Sequence, residues 1–139
     1  MEDAGKYIMD KYYARYDKMF GHRIYAYALH KLDLPNTNIV HMILNRKYHP
    51  RIRTLCRHMR IMGMIFGIRN ILTNRIELVT NDADTILNFL KTQRRKRSGR
   101  NSLIIACRCC RRDNVSVGTL VRAFRELGYT IQIGEYANA

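Results

Sequence analysis

Between Ala4 and Phe20 the apolar side chains Ile8, Met9, Tyr12, Tyr13, Tyr16, Met19 and Phe20 recur three and four positions apart. That spacing predicts an amphipathic helix, with Gly21 placed to close it in a left-handed cap. A second helix is expected over Ile24 to Leu32, ending before Pro35. A third is capped by Asn36 or Thr37 and buries Ile39, Val40, Met42, Ile43 and Leu44, with 45–50 as a junction. Beyond Pro50, Ile52, Leu55, Cys56, Met59, Met62 and Met64 form another stripe, opposed by arginines at 51, 53, 57 and 60. Gly63 and Gly67 weaken its end, and Ile68, Ile71, Leu72 and Ile76 read as the start of a further helix.

Asp82 and Asp84 are placed to cap a helix over Ala83 to Leu90, with Ile86, Phe89 and Leu90 on its buried face. The run Arg94 to Arg100 has five Lys or Arg in seven residues and is expected to be an exposed loop. The next segment, SLIIACRCC, fits either a helix with Leu103, Ile104 and Cys107 inward or a buried strand. In VSVGTLVRAFRELGY, helical spacing returns at Val117, Leu120, Val121, Phe124 and Leu127, between an N-cap at Ser116 and a C-terminal Gly128. The tail TIQIGEYANA alternates and favours a strand. No repeat of 20–50 residues is present.

Two prolines and eight glycines in 139 residues are few for a sandwich or barrel, and this favours an all-α bundle. The chain is expected to divide into an N-terminal helical extension, 1–49, and a basic helical-bundle domain, 50–139. It has no signal-type N-terminus and no window of about 18 apolar residues, so an intracellular, cytoplasmic protein without a membrane span is expected.

Charge is placed unevenly. Eight basic residues face five acidic ones over 1–50, fifteen face three over 51–112, and two face three over 113–139. Like charges at this density repel one another and cost stability, so something acidic should meet the middle of the chain. RRKR, Arg94 to Arg97, also matches a nuclear-localisation run, a short pattern common by chance.

Chemistry-bearing motifs are sparse. There is no Gly-rich phosphate loop, G-x-S-x-G elbow, paired-carboxylate site or H-E-x-x-H, so no enzyme activity and no cofactor are expected. A zinc site would need Cys107, Cys109 or Cys110 to meet Cys56 and His58 across the fold. Reduced cysteines packed on a helix face are favoured instead, with no metal.

The stretch SLIIACRCCRRDNVSVGTLVRAFRELGY, Ser102 to Tyr129, resembles the fourth and fifth helices of the death-domain family: a helix, a short polar link, then Val-x-x-Leu-Val-x-Ala-Phe-Arg. Val79-Thr80-Asn81-Asp82, with Ile86 and Phe89 after it, lies where that family has its third helix. The resemblance implies a six-helix bundle that assembles into oligomers through charged helix faces, as a signalling adaptor. Its partner would be a homotypic domain or an acidic protein surface, met by Arg108, Arg111, Arg112, Arg122, Arg125 and Glu126, with Asp113 in the link.

The alternative is a basic nucleic-acid-binding protein, of winged-helix or packaging type. In the winged-helix version Gly118 to Leu127 is the recognition helix, carrying Arg122 and Arg125, and TIQIGEY is a wing strand. The polyanion would then meet Arg51, Arg53, Arg57, Arg60, Arg94, Arg95, Lys96, Arg97 and Arg100.

Overall fold

A computed structural model describes residues 4–20, 50–97 and 104–135. Helices expected over 24–32 and 36–44, and the cap at Gly21, lie outside them. The described elements are α1 (Lys6–Phe20), α2 (Ile52–Met62), β1 (Met64–Asn70), β2 (Ile76–Thr80), α3 (Ala83–Lys96), α4 (Ile104–Cys110), α5 (Val117–Glu126) and β3 (Tyr129–Glu135).

The all-α expectation is therefore corrected. Three strands form one antiparallel sheet in the order β2-β1-β3, and the fold is α+β, not a six-helix bundle. The helix expected from Ile68 is instead the β1–β2 hairpin. Met64, Phe66 and Ile68 alternate with half-exposed neighbours, the two-residue period of a strand with one face on the core. Two features turn the chain. Asn70 Oδ1 accepts from the amides of Leu72 (2.9 Å) and Thr73 (3.3 Å), and Asn74 takes a left-handed φ of 58°. Gly63 ends α2 at φ 70°, its N–H bonded to the carbonyl of Met59, and releases the chain into β1.

A second correction concerns the basic run from Arg94. Helix α3 continues through Lys96, past the loop start expected at Arg94. Gln, Arg and Lys are good helix formers, Gln93 is buried beneath them, and the cations of the last turn suit the negative end of the helix dipole. The N-cap expectation holds: Asp82 accepts from the Thr85 amide at 2.9 Å and from its hydroxyl at 2.8 Å. These bonds hold the Asp82 carboxyl below its ordinary range.

Of the two readings of SLIIACRCC, the helical one forms, but with a different inner face. Ala106 and Cys109 are buried, while Ile104 is 57% exposed. Helix α5 and the strand after it form as expected, joined at Gly128 with φ 86°. The segment before α2 is laced to the segment before α5: Ile52 N–H donates to the Val115 carbonyl (2.7 Å) and Val117 N–H to the Pro50 carbonyl (3.0 Å).

Helices α2, α3 and α5 and the inner sheet face share one core, in which Tyr129 meets Phe89 and Phe124 edge to face, the three ring centroids 5.4 to 6.3 Å apart. Helix α1 belongs to the same core through Ile8, Met9, Tyr12, Tyr13 and Tyr16. Its polar contacts include Tyr12 Oη with His58 Nδ1 (2.9 Å), Arg15 Nε to the Met62 carbonyl (2.9 Å), and Arg15 with Glu135 (3.5 Å).

Candidate nucleic-acid interface

Helices α4 and α5, with the link 111–116 between them, form a helix–turn–helix unit followed by β3. All five of the unit's arginines, Arg108, Arg111, Arg112, Arg122 and Arg125, are exposed. Of its two carboxylates, that of Glu126 is engaged within the unit, while that of Asp113 is exposed. Glu126 accepts from the amides of Ile105 (3.2 Å) and Ala106 (2.8 Å), satisfying donors at the start of α4 that have no intrahelical partner. Asp113 lies toward α2, where its backbone carbonyl receives Arg53 Nε at 2.7 Å. Among the described residues none of the five arginines is in an ion pair.

Three of them converge. Arg108, Arg112 and Arg122 line an open cleft of about 230 Å³ between α4 and α5, together with Ile105, Cys109, Val115 and Thr119. Placement follows from helix geometry. Arg108 lies one position before buried Cys109 on α4, Arg112 follows in the link, and Arg122 follows buried Val121 on α5. Ser116, the N-cap of α5, fixes Thr119: its Oγ accepts from the Thr119 amide (3.3 Å) and donates to Thr119 Oγ1 (2.9 Å). The proton of the Thr119 hydroxyl is thereby left to point elsewhere.

The other basic candidates fare unequally. Arg53 is tied to Asp84 at 2.7 Å and Arg60 to Asp82 at 3.7 Å. Arg94 donates to Cys107 Sγ at 3.4 Å, a contact that raises its own pKa. Arg97 folds back on the Gln93 carbonyl (3.1 Å) and over the Tyr129 ring (5.6 Å). Arg51, Arg57, Arg95 and Lys96 are exposed, and Arg51 is bridged to Ser116 beside the cleft. Arg100 lies outside the described residues.

A larger hollow of about 410 Å³ between α1 and β3 includes Arg15, but its guanidinium is already held by Glu135 and Met62.

Among the described residues no group of three potential metal ligands is present. Burial pushes the Cys56 thiol up to about 12 and the Cys109 thiol to about 11. Cys107 and Cys110 are a C-x2-C pair on the half-buried flank of α4. His58, a candidate zinc ligand by sequence, sits in the core instead. It is fully buried, its Nε2 has no hydrogen-bond partner, and burial, then Arg57, lowers its pKa to about 4. Thr119 gave no signal in sequence, since its role depends on how α4 and α5 meet.

No family model matches this chain, and no curated protein or solved structure is significantly similar to it. Among the described residues no helix is long and apolar enough to cross a membrane.

Proposed function

We propose that this protein binds nucleic acid through the arginine face of the α4–α5 unit. The observation that carries the reading is the set of five exposed arginines that form no ion pair among the described residues, on a unit where the Glu126 carboxylate is engaged in holding the start of α4. Guanidinium groups free of internal partners release condensed counterions when they meet phosphates, and this gives affinity without sequence preference. The element order agrees with a winged-helix unit at α4, α5 and the strand β3 after them, but the β1–β2 hairpin precedes the helix pair and no second strand follows it among the described residues.

An adaptor that docks on an acidic protein would use the same arginines, but the six-helix bundle that motivated it is not the fold that forms. Binding of random-sequence duplex and single strands, followed from about 50 to about 300 mM salt, tests the proposal. Micromolar or tighter affinity with a steep log–log slope is expected. Absence of binding at the lowest salt, together with capture of an acidic protein domain, would favour the adaptor.

A further inference from the structure

Resting on that reading, we infer that the cleft between α4 and α5 is a discrete phosphate pocket, in which Arg108, Arg112, Arg122 and the Thr119 hydroxyl together seat one backbone phosphate of a nucleic-acid strand.

The chemistry of the lining makes the assignment. Guanidinium groups present planar forks of N–H donors that match phosphate oxygens two at a time. Three such groups border one hollow, and none is neutralised by a carboxylate among the described residues. Thr119 adds a fourth donor group, a hydroxyl that can give its proton while its oxygen accepts from Ser116. Ile105, Val115 and Cys109 supply apolar walls, which lower the local dielectric and strengthen each charge-assisted bond. A volume of about 230 Å³ equals that of about seven or eight water molecules at about 30 Å³ each. A phosphate group therefore fits with part of its hydration, and the cleft is open enough for a strand to enter and leave.

Charge favours a diester in a chain over a lone phosphate. Arg111 and Arg125 on the same unit, and Arg51 bridged to Ser116, are exposed and extend the positive field to the phosphates on either side.

The test uses the full chain with four variants: Arg112→Gln, Arg122→Gln, their combination, and Arg75→Gln at the hairpin tip as a surface control. Thermal melts establish that each is folded. Each cleft variant should weaken binding of a 20-nucleotide strand about tenfold at low salt, and the combined variant should lower the salt slope by about one, as loss of one phosphate contact does. Because both arginines hold the same phosphate, the combined variant should lose clearly less than the product of the two single losses. In parallel, inorganic phosphate should protect the peptides carrying Arg108, Arg112 and Arg122 from an arginine-specific dicarbonyl reagent, while Arg75 stays reactive.

Wild-type binding with cleft variants that match Arg75→Gln would overturn the pocket and leave the nucleic-acid reading standing, as would single losses that simply multiply. Wild-type protein that binds no strand removes the reading itself. Binding that depends on a 5′-terminal phosphate, or that favours a phosphoserine peptide over the strand, would overturn the choice of a backbone diester.

Discussion

Acidification should destabilise this protein through His58. The imidazole is fully buried between α1 and α2, with Nδ1 bonded to Tyr12 Oη at 2.9 Å and Nε2 unpartnered. A proton added there creates a charge that the core cannot solvate, so the folded pKa drops to about 4 from an ordinary 6.5. Between those values the unfolded chain binds more protons than the folded one, and stability rises with pH. The contribution is complete above about pH 6.5 and is lost as pH falls toward about 4.

The full interval corresponds to about 3 kcal/mol at about 1.4 kcal/mol per pH unit, and about 2 kcal/mol of it falls between pH 7 and pH 5, above the range where carboxylates protonate. Against a total of about 5–15 kcal/mol that is a large share. Urea denaturation at pH 7 and pH 5 measures it, with His58→Leu removing the titrating group and leaving the other histidines. The wild type should lose about 2 kcal/mol more than the variant over this interval. A direct NMR titration of the His58 ring should show no protonation down to pH 5. Equal losses in the two proteins, or a ring that titrates near 6.5, would refute the reasoning.

Glu126→Ala should cost about 2 kcal/mol, because two charge-assisted bonds to the Ile105 and Ala106 amides disappear, and hydrogen exchange at those two amides should quicken. Polyanion affinity should hold or rise, since a negative charge leaves the unit; a selective loss of binding would mark Glu126 as a partner contact. In the native protein a maleimide should label Cys107 and Cys110, whereas buried Cys56 and Cys109 should react only on unfolding, as peptide mapping would reveal. Asp82→Ala should lower stability by about 1 kcal/mol in a melt through loss of the α3 cap.

Much of this architecture was legible where one periodicity stood alone. Helix α1 buries the tyrosines that its spacing selects, α5 runs between Ser116 and Gly128 as its ends predict, and β3 takes the strand that its β-branched residues favour. The hairpin was not legible because two periods coexist there. Ile68, Ile71, Leu72 and Ile76 satisfy a helix, whereas Met64, Phe66 and Ile68 satisfy a strand. The helical set includes Ile71, Leu72 and Ile76, all of which are exposed. Tertiary burial of Phe66 and Ile68 settled the competition. In the site, the sequence marked Arg108, Arg112 and Arg122 as basic and outward. Their convergence depends on how α4 and α5 meet, and that is set by contacts as distant as Glu126 with the start of α4 and Pro50 with Val117.

The central claim is tested most directly by the salt dependence of wild-type binding to a random-sequence strand. Affinity that falls linearly on a log–log plot with a slope of about −3 or steeper is predicted, in keeping with several phosphates neutralised at once. A slope near zero, or no binding at about 50 mM salt, would contradict it.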